Sequence, residues 1–418
     1  MLLRPATSTF RTRPQRCLVG GILLLRPRFF QSPVVQPVWW STYRRSYSDT
    51  TTTSADAENA LKKKSDPLHI LFCGSDEFSC AALSALHGEH VRNPELVRSI
   101  DVVVRPGKPT GRGMKTIRHP PIRSLATELS LPIHERPTFT GWDMPPQINL
   151  ITAVSFGLFV PPRLLRTAKY GGLNVHPSLL PDLRGPAPLQ HTLLAARTTT
   201  GVSLQTLDEH AFDHGTVLAQ TPALPVPETC TLAQLHALVT PAGAELLVSG
   251  LRDGVHVPPR VDRGWWRPEG DGEAVEEGRG LRHAPRITKA DMQVLVADIP
   301  NLARRQRALG SQWFWSRNTR GEKRRVLIEG VTDSPTPPAG AKSVSIPFFE
   351  EEPKDGDGGD DGGTSSLILW WTEHDPDVFY TQGDTRIETL KVEGDKAKPA
   401  RQALRNFVVD PRGVLTSQ

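Results

Sequence analysis

Cysteine is scarce in this sequence, and its spacing excludes two kinds of site. The 418 residues include only four cysteines, Cys17, Cys73, Cys80 and Cys230. They form neither a CxxC pair nor a Cys/His cluster with the spacing of zinc ligands, so the sequence predicts no disulfide framework and no metal site. We expect these cysteines to be small apolar residues in a reducing compartment.

Long apolar runs and a dinucleotide-binding motif are also lacking. No segment reaches the ~20 apolar residues that a membrane-spanning helix needs. The first predicted strand, Leu68–Cys73, is followed by GSDEFS rather than by the G-x-G-x-x-G turn that cradles a dinucleotide. These absences disfavour a membrane-spanning protein and a Rossmann oxidoreductase.

Acidic residues are absent from the first 48 positions, which contain eight arginines. This composition is typical of a mitochondrial presequence, so we predict a presequence over residues 1–48, a disordered linker over residues 49–66 and a location in the mitochondrial matrix. A secretory signal built on the apolar run 18–25 and an uncleaved disordered tail are the alternatives. Loss of the eight arginines would change the net charge from +5 to −3, so overall basicity alone does not predict a nucleic-acid partner.

Short apolar runs alternate with helix-like segments between residues 67 and 256. The runs that predict strands are Leu68–Cys73, Ser99–Val104, Ile148–Phe156, Gly172–His176 and Gly201–Leu207. This alternation is typical of an α/β domain in which helices cover both faces of a Rossmann-like parallel sheet. A helix over Thr231–Gly250, kinked or interrupted at Pro241, is expected to close the domain.

The C-terminal part has a different pattern. Residues 257–284 are rich in proline, glycine and charge, which predicts a linker. The stretch ITKADM predicts a helix start, with Thr288 as the cap and Asp291 at the third helical position. Short strand-like runs then predict a small antiparallel OB-like β-barrel over residues 285–415, with a disordered acidic insertion at residues 350–363.

Three polar side chains near strand ends can supply chemistry at a carbonyl group. Asn174 and His176 are two residues apart on an extended strand, so they share a face, and Pro177 ends that strand because it cannot donate to a sheet ladder. Asp213 follows the next strand, in DEHAFDHG. Each residue alone also fits a turn, a cap or a hydrogen-bonded core position. Together they provide an amide donor, a titratable base and a carboxylate, which can form and break a tetrahedral intermediate.

The chain resembles a known family over Leu68 to about Gln220. It resembles the formyltransferases that use 10-formyltetrahydrofolate, and within them those whose acceptor is methionyl-tRNA. Three stretches, in this order, carry the resemblance: SFGLFVP, GGLNVHPSLLPDLRGPAPLQHTLL and TGVSLQTLDEHAFDHGTVLAQ. The stretches ILFCGSDEFSCAALSAL and RPGKPTGRGMK resemble the opening strand and helix and the Arg–Gly-rich loop of the same family. The usual Leu-Asp-Thr-Gly is Phe-Asp-His-Gly here. Asp208 is therefore a rival carboxylate, and His214 is either a plain loop residue or a side chain that competes with or assists His176.

The resemblance implies roles for particular residues. It makes Asn174, His176 and Asp213 the catalytic set, and it places the folate beside Ser178, Leu179, Leu180 and Pro181. The implied reaction transfers the formyl group of 10-formyltetrahydrofolate to the α-amino group of methionine on initiator methionyl-tRNA, without a metal and in a monomeric enzyme, for mitochondrial translation initiation. A sister formyltransferase or formylfolate hydrolase with a small substrate, and a non-catalytic RNA-binding relic, are the alternatives.

Two basic segments favour an RNA acceptor over a small one. The segment Arg105–Arg123 carries six cationic side chains, and the resemblance implies that this loop reaches the acceptor end of the tRNA, with Arg112 and Lys115 as contacts. Arginines and lysines also surround Trp313 and Trp315, which suits contact with phosphates and bases. Both tryptophans fit the core of a barrel equally well.

Overall fold

The computed structural model describes residues 63–111, 113–264, 281–334, 337–350, 365–383 and 385–407. The predicted presequence, most of the predicted 49–66 linker, Arg112 and most of the acidic insertion lie outside the described residues. Within the described ranges, no helix combines the length and the apolar character needed to cross a bilayer.

The first domain is built on a seven-stranded sheet. Its strands are β1 (Leu68–Gly74), β2 (Val97–Val104), β5 (Ile133–Glu135), β6 (Leu150–Val154), β7 (Gly172–His176), β9 (Ser203–Thr206) and β10 (Val217–Gln220), in the order β10-β9-β7-β6-β1-β2-β5. The five strands from β7 to β5 are parallel, as the sequence predicts. The parallel direction expected for Gly201–Leu207 is wrong, because β9, which lies in that run, is antiparallel to both of its neighbours. The reason is that β9 enters the sheet beside His176, at the carboxyl end of β7, and therefore runs back along it. The strand β10, which was not predicted from the sequence, is antiparallel as well.

Two antiparallel pairs of short strands stand apart from this sheet. One consists of β3 (Lys108–Thr110) and β4 (Thr116–Arg118), and the other of β8 (Thr199–Thr200) and β11 (Leu224–Pro225). The first pair lies inside the basic segment Arg105–Arg123, which was described from the sequence as a loop.

Helices pack on the sheet through alternating strand residues. The helices are α1 (Glu77–Arg92), α2 (Pro121–Glu128), α3 (Pro162–Thr167), α4 (Pro188–Leu194) and α5 (Leu232–Arg252). Phe72 belongs to a core that includes residues of α1 and α5, whereas its neighbour Leu71 belongs to a separate core with Trp142 and Phe156. Successive strand residues thus bury opposite faces, as expected for a sheet covered on both sides.

The helix α5 runs without a break through Pro241, so the predicted interruption is wrong. Thr231 forms a capping box with Gln234, which satisfies backbone donors at the start of the helix. Buried residues such as Val239 and Leu247 hold both sides of the proline against the sheet. This tertiary packing compensates for the hydrogen bond that Pro241 cannot donate.

The second domain is a curled antiparallel sheet. Its main strands are β12 (Gln312–Arg317), β13 (Lys323–Asp333), β14 (Lys342–Phe348), β15 (Ser365–Trp371), β16 (Phe379–Tyr380) and β17 (Thr385–Val392), in the order β12-β13-β17-β16-β15-β14, with β18 (Lys398–Pro399) beside β17. A bridge between Trp315 and Phe349 brings the two ends of this order together, and Phe314 stacks on Phe348 inside. The predicted fold class, a Rossmann-like domain followed by a small antiparallel barrel-like domain, is confirmed.

The helix start predicted at ITKADM is wrong. Asp291 Oδ2 does accept hydrogen bonds from the backbone N–H and the hydroxyl of Thr288, at 2.7 Å each, but a turn follows. Gln293 then forms a bridge with Trp313 of β12, which draws the chain into an extended path. Helical structure begins only at the 3₁₀ helix Val296–Asn301, which leads into α6 (Leu302–Leu309), and the short helix α7 (Ala400–Leu404) comes near the end of the described residues.

Candidate functional site

Asn174 and His176 lie on one face of β7, at the carboxyl edge of the parallel strands. In the antiparallel neighbour β9, Gln205 is the register partner of Asn174 and Ser203 is the register partner of His176. The strand ends at His176, directly before Pro177, as the sequence predicts. Four polar side chains therefore meet on one patch of the sheet.

Asp213 lies at the centre of this patch and accepts hydrogen bonds with both carboxylate oxygens. Its Oδ1 is 3.0 Å from Asn174 Nδ2, 3.1 Å from Gln205 Nε2 and 3.4 Å from His176 Nδ1. Its Oδ2 accepts a hydrogen bond of 3.0 Å from the backbone N–H of Gly185. The structure thus brings together the three residues that the sequence singled out, and it adds Gln205 and Gly185.

The backbone around Asp213 is held in an unusual conformation. Asp213 has φ of 59°, in the left-handed region that non-glycine residues rarely adopt. Arg184 Nε donates a hydrogen bond of 2.9 Å to the Asp213 carbonyl. A Cβ on Gly215 would lie 1.7 Å from the Thr206 carbonyl oxygen, so only glycine permits this close approach. Such strain persists where the surroundings fix it, and it is common at functional sites.

His176 is buried and both of its ring nitrogens face acceptors. Its Nε2 lies 3.0 Å from the Leu183 carbonyl oxygen, and its Nδ1 faces Asp213. A neutral imidazole donates from only one nitrogen, whereas an imidazolium donates from both. The site can therefore hold a protonated His176 with both of its N–H groups satisfied.

The rival residues of the same segment lie outside this network. Asp208 Oδ1 caps a turn by accepting hydrogen bonds of 2.8 and 2.9 Å from the N–H groups of His210 and Ala211. These two backbone hydrogen bonds lower the pKa of Asp208. His214 is exposed. The geometry therefore favours Asp213 as the carboxylate of the site.

The segment Ser178–Pro181 follows β7 and is held rigidly by hydrogen bonds of its own. The Ser178 hydroxyl donates to the Asp182 carbonyl at 2.7 Å, and the Leu180 N–H donates to Ser203 Oγ at 2.9 Å. Gln220 Nε2 donates to the Leu180 carbonyl at 3.0 Å. Ser178, Leu180 and Pro181 are buried and Leu179 is half-buried, so Leu179 is the side chain of this segment that a ligand can reach.

Two aromatic rings lie beside the site. Phe212, which is 58% exposed, packs edge-to-face on Phe159 with ring centroids 5.3 Å apart. Phe159 also lines a cavity of about 440 Å³ together with Leu158, Phe139 and Arg163. Apolar walls of this kind suit a flat ring.

The predicted RNA contacts that the structure describes are not members of this network. Lys115 is exposed beside the β3–β4 pair. In the second domain, Trp313 and Trp315 are half-buried, and the guanidinium group of Arg325 lies over both rings, at 5.3 and 5.5 Å. The alternating Phe314 fills the core, so the two tryptophans stand on the outer side of β12.

Metal and cysteine chemistry have no centre among the described residues. No group of three or more His, Cys, Asp or Glu side chains in the described ranges could hold a metal ion. Cys73, Cys80 and Cys230 are free thiols, and burial raises the pKa of each; for Cys80 it reaches about 11. These thiols are therefore poor nucleophiles at neutral pH.

Sequence reasoning missed Gln205, Ser203 and the segment that follows the predicted linker. Along β9, polar Ser203 and Gln205 alternate with apolar Leu204, and this alternation was the available signal for a polar face. No local sequence signal indicated that residues 282–284 pack against the loop that contains Leu183 and Arg184. There, Leu183 N–H donates to the Arg282 carbonyl at 2.8 Å, and Ala284 N–H donates to the Arg184 carbonyl at 2.7 Å.

The comparison with protein families identifies the first domain. Residues 68–251 match the family model described as "Formyl transferase". This range contains every strand of the seven-stranded sheet and the residues around Asp213. Residues 68–251 are therefore similar to the formyl transferase family.

The relatives of the whole chain carry a more particular name. The chain is 30% identical over 271 residues to "Methionyl-tRNA formyltransferase, mitochondrial" from Bos taurus, a match that covers 63% of each protein. It is 39% identical over 182 residues to the protein of the same name from Saccharomyces cerevisiae, covering 38% of this chain and 45% of that one. "Methionyl-tRNA formyltransferase" from Citrifermentans bemidjiense is 28% identical, over 83% of this chain and 96% of its own length. The chain thus has mitochondrial methionyl-tRNA formyltransferases as homologues, and its match spans less than two thirds of the length of the mitochondrial ones.

Proposed function

We propose that the protein transfers the formyl group of 10-formyltetrahydrofolate to the α-amino group of methionine on initiator methionyl-tRNA. The observation that carries this proposal is the convergence of Asn174, His176 and Gln205 on the carboxylate of Asp213. The match of this domain to the formyl transferase family and the names of the relatives support the choice of reaction.

The proposed reaction has two stages at the formyl carbon: attack by the amine and departure of the folate. The neutral α-amine attacks the formyl carbon, and the carbonyl oxygen becomes an oxyanion. One N–H of the Asn174 amide bonds Asp213, which leaves the second N–H to donate to the oxyanion. Protonated His176, whose two N–H groups face Asp213 and the Leu183 carbonyl, stabilises the oxyanion through its positive charge. The bond from the formyl carbon to N10 of the folate then breaks, the amine loses a proton and N10 gains one, with Asp213 orienting His176 or a relaying water. The products are formylmethionyl-tRNA and tetrahydrofolate.

The folate lies, in this proposal, against the rigid turn Ser178–Pro181. Hydrogen bonds already fix this turn, so its Leu179 side chain and its backbone form a preorganised wall. The pteridine ring would pack between that wall and the aromatic pair of Phe159 and Phe212. Catalysis needs no metal in this scheme.

The remaining parts of the chain serve the RNA acceptor and the compartment. Lys115 and Arg112 contact the acceptor end of the tRNA, and the second domain contacts its body through the outer face of β12, where Trp313, Trp315 and Arg325 lie. Residues 1–48 direct the protein to the mitochondrial matrix, where it acts as a monomer. Import into isolated mitochondria, with and without these residues, tests the location.

The test of the reaction compares two carboxylates of one segment. Asp213→Asn removes the charge at the centre of the network, and we expect kcat/KM for formylation of initiator methionyl-tRNA to fall by at least 100-fold. Asp208→Asn is the matched control, because Asp208 only caps a turn, and its kcat/KM should stay within a few-fold of that of the parent. Equal losses of kcat/KM in the two variants would contradict the assignment of Asp213 as the carboxylate of the site. Turnover of formylfolate without formylated tRNA would indicate a sister formyltransferase or hydrolase instead.

A further inference from the structure

Two arginines follow the carboxyl ends of neighbouring parallel strands. Arg105 comes directly after β2 and Arg136 directly after β5. The residues before them, Val104 and Glu135, are register partners in the sheet. Because partners in a parallel ladder leave the sheet at the same edge, the two arginines emerge side by side.

Both guanidinium groups border one aromatic cluster. Arg136 lies over the ring of Trp142, 5.2 Å from its centroid. Trp142 packs on Phe139, and Phe139 packs on Phe156, each at 5.8 Å between ring centroids. Next to Phe156 in the chain, Gly157 lies close to Arg105: the Arg105 Nη1 atom is 3.9 Å from the position that a Cβ would take on Gly157.

These two positive charges are not neutralised by the described part of the chain. The Nε atoms of Arg105 and Arg136 are buried and have no hydrogen-bond partner there. The neighbouring carboxylates are engaged elsewhere: Glu135 pairs with Arg123, and Asp101 bonds His134 at 2.8 Å. A buried N–H on a charged group is costly to leave unpaired, and the planar guanidinium fork matches an oxyanion with two parallel hydrogen bonds. The pair is therefore arranged to receive an anion.

We propose that Arg105 and Arg136 bind a phosphodiester group in the single-stranded 3′ end of the RNA acceptor. The identity of the RNA rests on the proposed function. In the strand order, β2 is three positions from β7, so the arginine pair lies ~15 Å from Asn174 and His176 along the same sheet edge. A short single-stranded end that presents its terminal amino acid to the site can span this distance.

The charge that continues from this pair favours RNA over the carboxylates of a folate tail. From Arg105 to Arg123 the chain contains no acidic residue. Lys108, Lys115 and Arg118 are exposed and carry the positive charge away from the pair along the β3–β4 segment. A continuous basic path suits a polyanion with regularly spaced phosphates.

The experiment measures binding of the full chain to initiator methionyl-tRNA and to the same tRNA without its three 3′-terminal nucleotides. We expect Arg105→Gln and Arg136→Gln each to weaken binding of the complete tRNA by about 10-fold, and the double variant to weaken it by about 100-fold. In the double variant, the slope of the logarithm of the binding constant against the logarithm of the salt concentration should be shallower by about one to two. The shortened tRNA should bind the parent and the double variant equally. Arg105→Lys and Arg136→Lys, which keep the charge but lose the fork, should give intermediate losses.

The control is Arg98→Gln, which removes an exposed arginine at the other end of β2 and should leave binding unchanged. Thermal unfolding verifies that each variant is folded.

Unchanged binding of the complete tRNA by the double variant would overturn the proposal, and so would an equal loss with the shortened tRNA. Weaker binding of polyglutamylated but not monoglutamylated 10-formyltetrahydrofolate, with tRNA affinity intact, would assign the anion to the folate. If the parent binds the complete tRNA in the predicted manner but formylates nothing, the proposed function fails and the anion site stands.

Discussion

At the scale of single residues, the site depends on donors that come from different parts of the chain. Asn174 and Gln205 are register partners on antiparallel strands, and each donates to the same oxygen of Asp213. A carboxylate that accepts several hydrogen bonds is held in one position. Gln205 is almost wholly buried, and the hydrogen bond from its Nε2 to Asp213 satisfies its amide N–H group, whereas its Oε1 has no partner among the described residues.

Replacement of Gln205 tests this positioning role. Gln205→Leu removes one hydrogen-bond donor to Asp213. We expect kcat/KM for formylation of initiator methionyl-tRNA to fall by about 10- to 100-fold, in line with the ~1–3 kcal/mol cost of an unpaired buried group. Gln205→Glu places a second carboxylate beside Asp213, so its activity relative to the parent should be lowest at high pH. That ratio should rise as the pH falls, because a proton shared between the carboxylates restores a hydrogen bond.

The measurement is the pH profile of kcat/KM for both variants and for the parent. Gln147→Leu is the control, since Gln147 is exposed in a loop. A Gln205→Glu profile parallel to that of the parent would argue against contact between residue 205 and the Asp213 carboxylate.

At the scale of elements, strand ends were predictable from the sequence and strand directions were not. Proline after His176 marks the end of β7 by a local rule, and the two-residue period places Asn174 and His176 on one face. The direction of β9 depends on where the chain re-enters the sheet, which no local pattern records. The same limit explains the turn at Thr288–Asp291: its capping contact forms, but pairing of Gln293 with β12 prevents a helix. Gln205 was missed because its partner Asp213 lies across a loop.

The capping box of α5 provides a prediction at this scale. Thr231 accepts a hydrogen bond from the Gln234 N–H at 3.3 Å, and its own N–H donates to Gln234 Oε1 at 2.9 Å. We expect Thr231→Ala to lower the free energy of unfolding by about 1 kcal/mol and the melting temperature by roughly 2–4 °C. Thr229→Ala, at an exposed position just before the helix, should change neither value in a thermal melt. Equal effects at both positions would indicate that the cap contributes nothing.

At the scale of the whole molecule, distant segments close the first domain and support its site. Residues 282–284 pair with the loop that carries Arg184 and Gly185, both of which hydrogen-bond Asp213. At the other end, residues 63–66 pack on the segment after α5: Lys63 Nζ donates to the Val257 carbonyl at 3.1 Å, and the Ser65 hydroxyl lies 2.9 Å from His256 Nε2. The domain therefore extends beyond the sheet at both of its ends.

Two truncated chains isolate the contribution of residues 63–66. A chain that begins at Lys63 keeps these contacts, whereas one that begins at Pro67 also loses the hydrogen bond of 2.9 Å from the Asp66 N–H to the Tyr170 hydroxyl. We expect the shorter chain to be less stable by ~2–3 kcal/mol, measured by urea unfolding. Identical midpoints would show that the segment adds no stability.

Burial of His256 makes the stability of this arrangement depend on pH. His256 has no exposed surface, and desolvation, with a smaller effect from Arg260, lowers its pKa from 6.5 to about 4. The folded chain therefore keeps this ring neutral at pH values where the unfolded chain binds a proton. The stabilisation is complete above pH 6.5 and is lost as the pH falls toward 4, by up to ~3 kcal/mol. Unfolding free energies measured between pH 7.5 and 4.5 should fall less steeply for His256→Gln than for the parent, while His210→Gln, at an exposed position, should follow the parent. Parallel curves for the parent and His256→Gln would show that His256 is not the group whose protonation destabilises the fold.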